Sequence, residues 1–321
     1  MSRSLFQNIF AASVLAIGVV GCAESLPTDS SDAIDPSGAE EVESSDELAQ
    51  QFPGFPRRPS GNDSPSTDEP VGTPVQAGSG SLPPVSSLSA KGPFDVTIDQ
   101  RGGGNTWIFH PTQLGRDGVK HPIFVWGTGA TSVPRQYTDH FNLIASHGFV
   151  VISPNTGSVN GRLLKQALDW IIQQNSGSGK FAGKLDTSNI AMGGHSLGSV
   201  STFDAEQNEN RLKTTIHIAG GSFDGQGSRK VKTPTAYMCG AAGDIALPQC
   251  QTDFRNVKSG IPTYYAELQR AGHVDAARVA LPAMVGWLRW HLAGETQHKA
   301  QFSPGGEFFK GVFKAQVKNW N

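Results

Sequence analysis

Apolar positions are distributed very unevenly along this chain. Residues 9–20 are almost continuously apolar, whereas from Ala23 to about Ser89 large apolar side chains are sparse. Beyond Lys91, short apolar runs alternate with stretches of helical spacing. The runs at 94–98, 106–110, 123–126, 149–153, 190–193, 215–219, 235–239 and 261–266 predict strands. Those in the middle are continuously apolar, the pattern of parallel strands covered on both faces. Residues 134–146, 161–174, 197–206 and 276–292 predict helices. In the second of these, Leu163, Leu164, Ala167, Leu168, Ile171 and Ile172 fall on one face, a core-packing stripe. After two opening strands the alternation predicts an α/β fold, a mostly parallel central sheet with crossover helices on both faces. Gly102-Gly103-Gly104 is not followed by Lys-Ser/Thr and predicts a hairpin turn rather than a phosphate loop.

The first two stretches define the organisation. Arg3 followed by the short apolar run predicts an export signal over 1–21, too short to span a bilayer comfortably. Val19-Val20-Gly21-Cys22 resembles the lipobox of bacterial lipoproteins, which implies cleavage before Cys22 and lipid on that residue. Ala23 is not aspartate, so outer-membrane attachment is the expected location. Residues 22–90, rich in Asp, Glu, Ser, Pro and Gly, cannot bury enough apolar surface to order themselves and predict a tether. Residues 91–321, about 230 in all, suit a single α/β domain. A net charge of −2 with no basic cluster argues against a nucleic-acid partner.

The chemistry concentrates at Gly194-His195-Ser196-Leu197-Gly198, between a predicted strand and a predicted helix. A serine with glycines two positions to either side, at such a corner, is the signature of a nucleophile elbow. A serine hydroxyl needs a base, and the base an orienting acid. His273, in Ala271-Gly272-His273 between a strand and a long helix, is the expected base. His195 adjoins the nucleophile and should point away from it, and His217 lies inside a strand as a core residue. His110, His121, His140, His147, His291 and His298 sit before or beside the relevant strand ends without a matching partner. Asp244, in the loop after the strand ending at Cys239, is the expected acid, with Asp224 the alternative and Asp275 a helix cap. The order Ser196, Asp244, His273 is that of the α/β-hydrolase fold.

An oxyanion would be held by the backbone N–H of Leu197 and by one from Gly127-Thr128-Gly129-Ala130, Thr128 first and Gly129 second. Cys239 and Cys250 bracket Asp244, and in an exported protein they are expected to form a disulfide. A zinc pair or free thiols are the alternatives, but no nearby His/Cys set completes a metal site.

These motifs, together with Ala145-Ser146-His147-Gly148-Phe149-Val150-Val151, Cys239 through Asp244, and Gly272-His273 followed by Trp287-Leu288-Arg289-Trp290, resemble the cutinase and polyester-hydrolase branch of the α/β-hydrolases, including chlorophyllase-like members. The resemblance covers most of 123–293 and implies a serine esterase that forms an acyl-enzyme and needs no cofactor. The chain departs from polyester hydrolases at Thr128, where they usually carry an aromatic, and at Gly220-Gly221, where they carry a tryptophan. Leu197 and Ser199 replace their usual Met-Gly. The expected substrate is therefore a small or medium acyl ester. An acyltransferase or peptidase using the same triad, or a catalytically idle binding lipoprotein, are the other readings. The aromatic-rich tail, residues 297–321, is expected to pack against the domain.

Overall fold

The computed structural model describes residues 80–320. The export signal, Cys22 and nearly all of the acidic tether lie outside the described residues. An antiparallel hairpin, β1 (Val96–Gly102) and β2 (Thr106–Pro111), opens the sheet, and the triple glycine leads into its turn. Next come β3 (His121–Gly127), β4 (Val150–Pro154), β5 (Leu185–His195), β6 (Leu212–Ile218), β7 (Thr235–Gly240) and β8 (Thr263–Leu268). These six strands pair in parallel through β4-β3-β5-β6-β7-β8. A last strand, β9 (Phe313–Lys318), closes the far edge antiparallel to β8. The sheet order is β1-β2-β4-β3-β5-β6-β7-β8-β9.

The pleat explains why the central runs are apolar throughout. Phe124 and Trp126 of β3 face a cluster with Phe141 and Ile144 of α1 (Thr138–Ser146) and with Val285 and Leu288 of α6 (Leu281–Ala293). Their neighbours Ile123 and Val125 face the opposite layer, against Leu164, Leu168 and Ile171 of α2 (Gly161–Ser176). Alternate side chains of one strand thus enter different cores. The N-terminus of α2 is fixed by Asn160, whose side chain accepts the Leu163 N–H at 3.0 Å. A third cluster joins Phe203 of α3 (Leu197–Glu206) to Tyr237, Tyr265 and Phe254 of α4 (Leu247–Asn256).

The helix expected over 276–292 is interrupted. A short α5 (Ala276–Val279) precedes α6, and Pro282 lies in the first turn of α6, where its missing N–H is no loss. Residues 80–90, read from sequence as the end of the tether, are part of the packed body. Leu82 and Leu88 are buried, and the Pro83 carbonyl accepts from Arg289 Nη2 at 2.6 Å. Arg289 is fully buried, also donates to the His147 carbonyl at 3.1 Å, and pairs with Glu295. The tail packs as expected: Phe302, Phe308 and Phe313 are buried.

Candidate active site

The loops that follow β3, β5, β7 and β8 meet at the carboxyl edge of the sheet, where open α/β sheets place their sites. Ser196 is the turning point between β5 and α3. Its backbone sits at φ 54°, ψ −118°, a conformation that costs an L-residue about 1–3 kcal/mol and persists only when its surroundings enforce it. The enforcement comes from both sides. The Ser196 N–H bonds the Ile218 carbonyl at 2.9 Å, and the Ser196 carbonyl accepts from Ser199 N–H at 3.0 Å. Glycines at 194 and 198 are required because these two backbones and that of Gly127 lie in contact. A Cβ at Gly194 would fall 2.8 Å from the Gly127 oxygen.

The turn aims the Ser196 hydroxyl at His273. His273 Nε2 lies 2.8 Å from Ser196 Oγ, and Nδ1 lies 2.7 Å from Asp244 Oδ1. The imidazole keeps a partly open edge, while the Asp244 side chain is wholly buried. Two backbone donors hold the carboxylate: Gly240 N–H to Oδ2 at 2.8 Å and Ala246 N–H to Oδ1 at 2.9 Å. The sequence-predicted serine, histidine and aspartate are therefore brought into one hydrogen-bonded row. Such a row lets the imidazole take the hydroxyl proton while the carboxylate steadies the ring. Asp224 is exposed elsewhere and accepts the Gln226 N–H at 3.0 Å. Asp275 is the N-cap residue of α5, as expected, but its side chain makes no capping bond and pairs instead with Arg278 at 2.8 Å, which corrects the capping expectation.

Leu197 is the first residue of α3, where N–H groups have no partner within the helix. Thr128 is buried just past β3, its hydroxyl donating to the Thr156 carbonyl at 3.2 Å. The Gly129 N–H is occupied by the Tyr137 hydroxyl at 3.1 Å. Cys239 of β7 and Cys250 of α4 are joined as a disulfide with Cα atoms 6.7 Å apart, closing the segment that carries Asp244. Among the described residues no group of three or more His, Cys, Asp or Glu is arranged to hold a metal.

The remaining histidines have other partners. His217 is fully buried, stacked at 3.9 Å on Phe203 and bonded to Ser199 Oγ at 3.0 Å, as a core residue should be. His110 bonds Asp99 at 3.1 Å, His298 bonds Glu295 at 2.9 Å, and His121 and His147 bond the Gly148 and Ala90 carbonyls. His140 and His291 carry buried ring nitrogens. His195 bonds the His273 carbonyl and Tyr137, a pairing that the sequence reading lacked. The exposed apolar side chains Phe223, Ile245 and Val274 lie in the segments after β6, β7 and β8, Ile245 beside Asp244 and Val274 beside His273.

Residues 72–318 match the family described as PET hydrolase-like. Among curated proteins, the chain is similar to a bis(hydroxyethyl) terephthalate hydrolase of Streptomyces coelicolor, 25% identical over 244 residues that cover 70% of this chain and 76% of the relative. It is 26% identical to cutinase 2 of Thermobifida cellulosilytica over 231 residues, covering 67% of this chain and 86% of the relative. Cutinase est1 of Thermobifida alba is 26% identical over 246 residues, covering 70% and 80% of the two chains.

Proposed function

Since the chain belongs to the PET hydrolase-like family, we propose that it is a carboxylic-ester hydrolase working through Ser196, His273 and Asp244. The observation that carries this reading is the hydrogen-bonded row of those three side chains, set on a strained elbow. The relatives named cutinase and bis(hydroxyethyl) terephthalate hydrolase support the ester bond as the target.

In this mechanism His273 Nε2 accepts the proton of Ser196 Oγ as the oxygen attacks the ester carbonyl. The N–H groups of Leu197 and Thr128 receive the developing oxyanion; Thr128 is preferred because Gly129 is committed to Tyr137. His273 then hands its proton to the departing alcohol, leaving the acyl group on Ser196. Water deacylates the serine with His273 again as base, and no cofactor enters either half.

Small or medium acyl esters are the proposed substrates. Phe223, Ile245 and Val274 offer apolar surface for an acyl chain. Gly220-Gly221 supplies no aromatic side chain, and a Cβ at Gly220 would fall 2.8 Å from the Ser196 carbonyl oxygen. A panel of nitrophenyl esters, run beside matched amides, tests the reading. Hydrolysis of esters, with turnover and fluorophosphonate labelling both lost in Ser196→Ala, is expected. Labelling that survives in Ser196→Ala, or amide cleavage matching ester cleavage, would refute it. The proposed outer-membrane location rests on Val19-Val20-Gly21-Cys22, and Cys22→Ala should release the protein from the membrane fraction.

A further inference from the structure

We infer that His195 and Tyr137 form a positioning link that locks the backbone of His273 to the loop carrying Thr128. The inference rests on the triad reading above. Its basis is the direction in which each hydrogen bond can run. His195 Nε2 lies 2.8 Å from the His273 carbonyl oxygen, which can only accept, so Nε2 carries the proton. The imidazole is buried between the sheet edge and that carbonyl, and burial holds its pKa down to about 4, so the ring is neutral and Nδ1 is bare. Tyr137 Oη, 2.8 Å from Nδ1, must then donate to it. Its own lone pair receives the Gly129 N–H at 3.1 Å. The chain therefore runs in one sense, from Gly129 N–H through Tyr137 and His195 to the His273 carbonyl.

Each link joins parts that the reaction needs in register. His195 is the last residue of β5 and adjoins Ser196, so Ser196 and the clamp on His273 leave the same strand end. The His273 ring bonds Ser196 forward, and the His273 backbone is held from behind by His195. Those two bonds close a ring that fixes the Nε2-to-Oγ approach. At the other end, Tyr137 occupies Gly129 N–H and stacks on Phe141 of α1, fixing the loop in which Thr128 lies. Titratable and charged neighbours of His195 are His273, Asp244 and His140, with Arg278 beyond His140. None of them supplies a second acceptor for Nε2 among the described bonds.

The test uses His195→Phe, His195→Gln and Tyr137→Phe in the full-length protein. Glutamine can still donate to the His273 carbonyl; phenylalanine cannot. His195→Phe should lower kcat by about 10- to 100-fold with KM little changed, because misplacement by an ångström costs about that much in rate. His195→Gln should recover most of that loss, and Tyr137→Phe should fall between. A kcat in His195→Phe within about twofold of the parent, or no rescue by glutamine, would overturn the link. Nitrogen-15 NMR of the parent gives a readout independent of turnover: an Nε2-protonated neutral His195, and a sharp downfield His273 Nδ1 proton that broadens in His195→Phe. An Nδ1-protonated His195 would equally overturn it, even in a protein that hydrolyses no ester. Lost turnover in the parent with these resonances intact would instead refute the esterase reading. If His195→Phe does not fold, the Gln and Tyr137→Phe variants and the parent tautomer still decide the matter.

Discussion

Gly198 and Gly127 touch backbone to backbone: a Cβ on Gly127 would lie 2.8 Å from the Gly198 Cα, and one on Gly198 would run into the Gly127 carbonyl. This contact lets α3 begin directly against the end of β3. It sets the serine turn and the Thr128 loop side by side. Gly198→Ala should therefore force the two apart. The expected result is a stability loss of about 1–3 kcal/mol by urea denaturation, as for overpacked sites, with fluorophosphonate labelling lost more completely than folding. A variant that labels at the parental rate would contradict the close approach.

Asp244 and Asp224 can be separated by a charge-neutral change. Asp244→Asn keeps the side-chain shape but presents an amide to His273, favouring the wrong tautomer. The expected loss in kcat is about 10³- to 10⁴-fold. Asp224→Asn, at an exposed turn, should stay within about twofold of the parent. Ester turnover measured on both variants decides which carboxylate orients the base.

The Cys239–Cys250 bond spans the loop that carries Asp244. Closing so short a loop is worth about 2–3 kcal/mol, so Cys250→Ser or reduction should lower the unfolding midpoint accordingly. Activity should fall at temperatures below the melt, as the acid-bearing loop loosens first. Mass spectrometry that finds both thiols free in the mature protein would remove the basis for this expectation.

Stability should also fall on mild acidification. Burial lowers the pKa of His147 and His195 from the ordinary 6.5 to about 4, and that of His217 to about 3. The unfolded chain therefore binds more protons than the folded one between these values and 6.5. The stability they contribute is complete above pH 6.5 and declines as pH drops towards 4. Each fully shielded imidazole adds up to about 1.4 kcal/mol per pH unit to that slope. Urea midpoints at pH 7 and pH 5 measure it; most carboxylates remain ionised across this window. An unchanged midpoint would mean the buried rings are not neutral.

The serine turn and its partners were legible in the sequence because each depends on local signals. A glycine-flanked serine, a glycine before a histidine and an aspartate after a strand each mark a loop at one sheet edge. The clamp on His273 was not legible. Tyr137 and His195 are 58 residues apart and meet only because the turn before α1 folds over β5. Helix α4 was hidden by its composition, Leu-Pro-Gln-Cys-Gln-Thr-Asp-Phe-Arg-Asn, in which apolar residues are too few to define a stripe. Strand β9 is short and half polar, with Lys314, Gln316 and Lys318 on an edge, so its pairing with β8 decides it rather than its own pattern. The end of the tether was misjudged because Leu82 and Leu88 are isolated in a polar stretch, and only the domain supplies their partners.

Arg289 fastens Pro83 next to His147, at the side of the sheet where β4 begins, and Ser196 stands where β5 ends. The folded body consequently has a blind pole, at which Pro83 is held, and a working pole that looks the other way. A bead, resin or biosensor chip coupled ahead of residue 80 would hold the protein by its back. The serine would then face the bulk liquid, open to esters too large to slip underneath.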